Sequence, residues 1–336
     1  MISIVGNGDP VHVGRHLVSA AESLQVEHKL LDLRRASEGP RILTSLSWRL
    51  RGHRPLRMNS FSRYVRQHCE EARPSVLICT GLAAVTASDL RRIGAAGVKR
   101  VNFLTDDPWN PAHRAPWFME SLREYDCIFS PRTANRDDLL RHGCQHVERL
   151  PFAYAPEIHF PELARSLDEP PNGPDVAFVG GGDADRVPFA DALLKAGMNV
   201  ALYGGYWDRY PATRVHALGL ASPEVARQLA RTAKVSVCMV RRANRDGHCM
   251  RTFELPAMGA CIVADDTPEH RTIFGEEGEN VLYFREPEEL VAKVRRLIAS
   301  PHLQADLRRR CHERIVAGGN QYKDRLSSMI SWRSER

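Results

Sequence analysis

Residues 241–266 read RRANRDGHCMRTFELPAMGACIVADD, and this stretch decides the architecture. It follows the apolar, β-branched run KVSVCMV (234–240), opens as a polar loop containing Gly247, and continues as a helical pattern from near Met250 to Gly259. A second apolar run, CIVAD (261–265), comes next. Strand, loop, helix and strand within about thirty residues make a βαβ unit. Strands buried on both faces of a parallel sheet read as continuous apolar runs rather than alternations.

The same alternation extends in both directions. Candidate strands are ISIV (2–5), EHKLLDL (27–33), SVLICT (75–80), RVNFLT (100–105) and YDCIF (125–129), then DVAFVG (175–180), NVALYG (199–204), KVSVCMV, CIVAD and NVLYF (280–284). Helical stretches fall between them: Val13 to Leu24, Ser60 to Glu71, Ala134 to His142, Val187 to Ala196, Glu224 to Ala233 and Glu288 to Ile298. The run from Pro301 to Trp332 is helical in character yet follows the last strand. One interruption, LPFAYAPEIHFPELARSLDEPPNGP (150–174), is rich in proline and without helical period. The chain therefore reads as α/β, with a Rossmann-like domain over 1–155, a linker over 156–174 and a second Rossmann-like domain over 175–318. Two such parallel sheets would face a central cleft, since open α/β sheets bind ligands outside the carboxyl ends of their strands.

Composition agrees with two cores: 336 residues, 43% hydrophobic, exceed what a single core usually fills. The net charge of +6 is too small to argue for nucleic acid. The N-terminus MISIVGNGDP reads as a strand, not a leader, and no stretch nears the ~18 apolar residues of a membrane span, so a cytoplasmic protein is expected. Cys69, Cys79, Cys127, Cys144, Cys238, Cys249, Cys261 and Cys311 form no CxxC pair and read as small core hydrophobes. Charge is concentrated between Arg34 and Arg73, with ten arginines against Glu38, Glu70 and Glu71. With Trp48, Leu50 and Phe61 interleaved, that segment is either a solvated basic face or a peripheral contact with anionic lipid on the inner face of a membrane.

The candidate site residues come from loops that follow strands. A helix start near Met250 offers unpaired N–H groups and a positive dipole end to a phosphate oxygen. Arg251 and Thr252 lie in its first turn, and Arg241, Arg242 and Arg245 lie on the approach, where arginines suit a diphosphate. Glu254, one turn on, can accept two bonds from vicinal ribose hydroxyls, or it can be merely the helical partner of Arg251. DVAFVGGGDADR opens the second domain, and Gly180, Gly181 and Gly182 let backbone approach a ligand closely. In ALYGGYWDRY, Gly204 follows the strand, and Tyr206 or Trp207 could stack on a base or belong to the core. Asp106 and Asp107 end the strand RVNFLT, where they read as an acid orienting or deprotonating a hydroxyl or as a helix cap. His248 is a further loop candidate for a phosphate or sugar contact. Gly6-Asn7-Gly8 is a partial dinucleotide fingerprint with valine at the third glycine position, and Asp32 lies inside LLDLRR rather than ending a strand.

RTFELPAMGACIVADDTPEHRTIFGEEGENVLYF (251–284) resembles the signature of the CgeB-type, spore-maturation-like glycosyltransferases, relatives of the retaining family 4 enzymes with the GT-B fold. The resemblance covers 175–322, and more weakly 101–160. It implies a hexosyltransferase-like enzyme that uses a nucleotide-diphosphate sugar as co-substrate, with no metal and no other cofactor. In such relatives two glutamates with seven residues between them flank the donor; here Asp246 stands at the first position, toward the transferred sugar, and Glu254 at the second, on the ribose. The resemblance further implies Arg186 on the diphosphate, and the backbone of Gly204 to Tyr206 with 215–220 around the base. Gly8, Asp106 and Asp107 fall on the acceptor side, and a C-terminal helix (319–334) crosses back to the first domain. The acceptor is left open among glycan, lipid-linked glycan, protein and small molecule. A sugar-nucleotide epimerase on the same plan and a catalytically silent scaffold are the rival readings.

Overall fold

The computed structural model describes residues 1–162 and 171–333. The chain divides into two units. Unit 1 comprises Met1–Pro151, Ala243–Arg245 and Tyr322–Arg336, and unit 2 comprises Phe152–Arg242 and Asp246–Gln321. The sequence reading ended the first domain at 155 and began a linker at 156, whereas the segment from Phe152 lies in unit 2. Tyr154 bridges Gln321 there, and its N–H bonds the carbonyl of Asn320 at 3.0 Å. Residues 163–170 of that linker, and 334 at the end of the C-terminal helix, fall outside the described residues.

Unit 1 runs β1 (Ile2–Gly6), α1 (Val13–Ser23), β2 (His28–Asp32), α2 (Arg41–Leu50), α3 (Met58–Ala72), β3 (Val76–Thr80), α4 (Ala87–Ala95), β4 (Lys99–Phe103), α5 (Pro116–Leu122), β5 (Cys127–Ser130), α6 (Arg136–Arg141) and β6 (Val147–Arg149). The strands form a parallel six-stranded sheet in the order β2-β1-β3-β4-β5-β6. Every residue of β1, β3 and β5 is buried, as a doubly covered parallel sheet requires. Leu77, Val65, Ile93 and Phe118 centre its core. Asp32 is the last residue of β2, a correction to the sequence reading, and it is engaged at once by Arg34.

Unit 2 runs β7 (Val176–Val179), α7 (Val187–Lys195), β8 (Val200–Tyr203), α8 (Pro223–Thr232), β9 (Val235–Cys238), α9 (Arg251–Ala257), β10 (Ile262–Asp265), α10 (Pro268–Phe274), β11 (Leu282–Phe284), α11 (Pro287–Ile298) and α12 (Pro301–Ala317). Its parallel five-stranded sheet has the order β11-β10-β9-β7-β8. Phe178, Leu193, Trp207, Val263 and Val294 are core residues. Proline stands at the first turn of α8, α10, α11 and α12, where its missing N–H costs no helical bond.

The last helix, α13 (Tyr322–Ser331), belongs to unit 1 and packs on α1, with the Tyr322 and His16 rings stacked at 4.9 Å. Lys99 donates to the carbonyls of Ile330 (2.8 Å) and Trp332 (3.0 Å), placing a cation at the negative end of α13. No helix among the described residues is long and apolar enough to cross a membrane.

Candidate functional site

In unit 2 the chain passes from β7 to β8 on one side and then sets β9 on the other side of β7. Loops leaving strands at such a reversal part from one another, and the gap at the carboxyl ends is the preferred ligand site of an open α/β sheet. Gly180, Gly181 and Gly182 leave β7 at this point, and their backbone is tied to the loop after β8. Gly180 N–H donates to Tyr203 O (2.8 Å), Gly182 N–H donates to Gly205 O (2.9 Å), and Trp207 Nε1 donates to Gly180 O (2.8 Å).

The steric demands on these glycines differ. A Cβ on Gly204, where φ is +134°, would sit 2.1 Å from Gly180 O, and one on Gly182 would sit 2.8 Å from the Trp207 ring. A Cβ on Gly181 would meet no atom closer than 3.5 Å, and one on Gly180 none closer than 3.8 Å. Internal packing thus accounts for Gly182 and Gly204, while Gly180 and Gly181 leave open space beside the backbone.

Arg186 is 7% exposed. It donates from Nη1 to Gly181 O (3.0 Å) and from Nη2 to Met239 O (2.8 Å), just beyond β9. Its Nε lies 3.8 Å from Asp183 Oδ2, and neither atom has a hydrogen-bond partner among the described residues. Arg241 Nε lies 3.8 Å from the same oxygen. Arg251, at the start of α9, donates from Nε to Val179 O (3.1 Å), the last carbonyl of β7, and pairs through Nη1 with Glu254 Oε2. Two guanidinium groups are therefore fixed by main-chain carbonyls at the ends of β7 and β9.

Glu254 is 1% exposed, so its pair with Arg251 is buried on the carboxylate side rather than a surface helical pair. His159 Nε2 lies 3.7 Å from Glu254 Oε1. His159 Nδ1 accepts the amide of Ala155 at 3.0 Å, so the proton belongs to Nε2, facing the carboxylate.

The helix α9 is seven residues long, and the turn after it closes at Gly259, where φ is +79°. Thr252 is fully buried; its Oγ1 accepts Cys249 N–H (3.0 Å) and donates to His270 Nε2 (2.9 Å). His270 Nδ1 donates to Asp265 O (2.8 Å), and burial lowers the pKa of this imidazole, in keeping with a neutral ring. Asp265, the last residue of β10, accepts Val240 N–H (2.6 Å), and burial pushes its carboxyl up to about 7. His248 has both ring nitrogens occupied: Nδ1 donates to Glu269 Oε2 (2.5 Å) and Nε2 accepts Phe152 N–H (3.2 Å). A phosphate contact by His248 would have to displace one of these.

Asp246 is half-buried, its N–H bonded to Arg241 O, and Arg242 is exposed. Trp207 is wholly buried in the core, whereas Tyr206 is exposed, with φ +74° and the Arg209 guanidinium 4.1 Å above its ring. Val215, Leu218 and Leu220 are exposed as well.

The acceptor-side candidates lie in unit 1. Asp107 is 1% exposed; its Oδ1 accepts Trp109 N–H (3.0 Å) and Asn135 Nδ2 (2.9 Å), and Arg245, which belongs to the same unit, donates to its Oδ2 (2.6 Å). Both Asp107 and Asp138 raise the Arg245 pKa, and Arg245 lowers that of Asp138. Arg245, read from sequence as approaching the diphosphate, is instead spent on these two carboxylates. Asp106 is half-buried and accepts Thr105 Oγ1 (3.2 Å). Gly8 lies against the Asp32–Arg34 pair, where a Cβ would meet Asp32 Oδ2 at 3.1 Å.

Sequence reading missed His159, Asp183 and Asp265. Asp265 could have been found as an acid ending an apolar strand. His159 sits in the proline-rich segment without periodicity, and nothing local ties it to Glu254.

Residues 186–331 match a family model described as "Glycosyl transferase-like". No curated protein matches the chain. Among solved structures the chain is similar to sucrose-phosphate synthase from Thermosynechococcus elongatus, at 13% identity and TM-score 0.64, covering 98% of this chain and 96% of that one. It is similar to HepE of Anabaena, solved with UDP and glucose, at 12% identity and TM-score 0.65, covering 98% of both chains. A protein named as a UDP-N-acetylglucosamine 2-epimerase from Listeria monocytogenes matches at 10% identity and TM-score 0.59, covering 98% of this chain and 95% of that one. The fold is that of the GT-B glycosyltransferases, two parallel-sheet α/β domains.

Proposed function

We propose that the chain is a glycosyltransferase that takes a sugar from a nucleotide-diphosphate donor held by unit 2. The observation that carries this reading is the gathering of open glycine backbone, two carbonyl-anchored arginines and a buried glutamate at the β7/β9 reversal, the arginines and the glutamate within the segment matching a glycosyl transferase-like family. In this reading Arg186 and Arg251 face the diphosphate beside Gly180 and Gly181, Thr252 keeps the loop before α9 in place, and Glu254 turns to the ribose. Asp246 and the exposed Arg242 lie on the sugar and phosphate side. Tyr206 and the loop 215–220 face the base.

Bond breaking leaves negative charge on the departing nucleoside diphosphate. Fixed guanidinium groups stabilise that charge without reorganisation, a task other sugar transferases give to a metal ion. The reaction is proposed to need no metal and to retain anomeric configuration, by analogy with the resembling CgeB-type enzymes. The UDP in the HepE structure makes uracil the first base to test. Asp106 and Asp107 in unit 1 are assigned to the acceptor side. Asp107 would act as a base only after releasing Arg245.

Thermal unfolding with nucleoside diphosphates and their sugars, with and without EDTA, tests the donor site, because a ligand that binds only the folded state raises the melting temperature. The expected result is a shift with one base, unchanged by EDTA and reduced at least tenfold in apparent affinity by Glu254→Ala or Arg186→Ala. A well-folded protein that none of them stabilises refutes the site. The epimerase likeness supplies the competing outcome: conversion of a nucleotide sugar to its epimer without an acceptor and without nucleotide release.

A further inference from the structure

The helix α2 turns its apolar face outward. Of its residues only Ser47 is buried, and the Ser47 hydroxyl donates to Arg54 O at 2.9 Å. Ile42, Leu46 and Leu50, four residues apart and therefore in one row, are 80%, 51% and 73% exposed, and Leu43 beside them is 50% exposed. Trp48 is 43% exposed, its ring 4.9 Å from that of His53. A helix that merely covered a soluble core would point this row inward.

The charge around this helix is one-sided. Between Glu38 and Glu70 the sequence has Arg41, Arg49, Arg51, Arg54, Arg57, Arg63 and Arg66 and no acidic residue. Arg51, Arg54, Arg57 and Arg63 line a groove of about 240 Å³ beside the end of α2, with no carboxylate in its wall. Among the described residues no carboxylate pairs with Arg41, Arg49, Arg51, Arg54 or Arg63.

We infer that α2 lies on an anionic phospholipid surface, with Ile42, Leu43, Leu46 and Leu50 entering the acyl boundary and the arginines of the groove binding headgroup phosphates. An apolar row flanked by guanidinium groups fits a surface that offers hydrocarbon below and phosphate above. A nucleic acid offers the phosphates but no hydrocarbon for four exposed aliphatic side chains. Because lipid binding is read without donor or turnover, it stands or falls separately from the transferase reading.

The test is co-sedimentation of the full chain with vesicles of phosphatidylcholine, alone or mixed with phosphatidylglycerol. The expected result is binding at least tenfold stronger to the mixed vesicles and weakened by salt. Ile42→Ser/Leu46→Ser/Leu50→Ser and, separately, Arg51→Ala/Arg54→Ala each lower that binding at least tenfold, with the melting temperature unchanged by the first because these side chains are exposed. Brominated lipid quenches wild-type tryptophan fluorescence more than that of Trp48→Phe. No binding, equal binding to both vesicle types, or binding indifferent to both variants overturns the inference. So does concentration-dependent self-association without vesicles that the serine variant abolishes, because the apolar row would then be covered by a second copy.

Discussion

His159 Nε2 lies 3.7 Å from Glu254 Oε1, and because His159 Nδ1 accepts the Ala155 amide, the nitrogen turned to the carboxylate carries the proton. The imidazole thus does two jobs in unit 2: it satisfies a buried main-chain N–H and turns a polarised N–H toward Glu254. His159→Ala leaves the Ala155 N–H without its acceptor, at a cost of about 1–3 kcal/mol. Urea unfolding should show that loss, and His159→Asn, whose side-chain oxygen can take the place of Nδ1, should recover part of it. An alanine variant as stable as the wild type would contradict the assignment.

The loops after β7 and β8 touch through glycine. Gly204→Ala combines a positive φ with a Cβ 2.1 Å from Gly180 O, a backbone atom that cannot swing away, and should cost about 2 kcal/mol or more. A Cβ on the adjacent Gly205 meets nothing within 4 Å. Gly205→Ala should fall within about 0.5 kcal/mol of wild type. Equal effects of the two in urea unfolding would mean that these loops are not packed as described.

Burial raises the Asp265 carboxyl to about 7 from the 3.8 of an ordinary aspartate. Between these two values the unfolded chain has lost its proton while the folded chain keeps it, so this group's contribution to stability declines as pH rises across that window and is constant above it. Asp265→Asn keeps an acceptor for the Val240 N–H and removes the titration. The stability of the variant relative to wild type should therefore climb by about 1 kcal/mol or more from pH 4 to pH 7 and level off beyond. A difference independent of pH would place the Asp265 pKa in the ordinary range.

Asp107 and Arg245 should be energetically coupled within unit 1. Arg245 is 40% exposed and also bonds Asp138, so screening reduces the pair's worth; a double-mutant cycle with Asp107→Asn and Arg245→Gln should give a coupling of about 1 kcal/mol. Zero coupling would show that the pair does not form in solution. Asp107 would then be free to serve as a base.

The central strands were legible because each is buried on both faces and so is written as an unbroken apolar run; β1, β3, β7, β9 and β10 lie where those runs fall. The edge strand β6 was not, since two of its three residues are exposed and it carries no apolar signal. Nor was the helix α2, whose apolar row points outward: the sequence showed a basic segment with Trp48 and Leu50 interleaved, but not the row that Ile42, Leu46 and Leu50 form. Arg251, Glu254 and the glycines after β7 and β8 could be singled out because they fall in the loops and the helix start that follow strand ends, a relation the chain order alone imposes, whereas Arg186 was pointed out by the family resemblance. What they touch was decided elsewhere. Only the sheet order brings Val179 and Met239 carbonyls side by side for the two arginines, and only the folding of a proline-rich segment onto unit 2 sets His159 against Glu254. Local sequence specifies which strand ends carry polar side chains, but partners far apart in sequence are chosen by burial, because a buried charge or amide must be satisfied by whatever donor or acceptor the packing brings within reach.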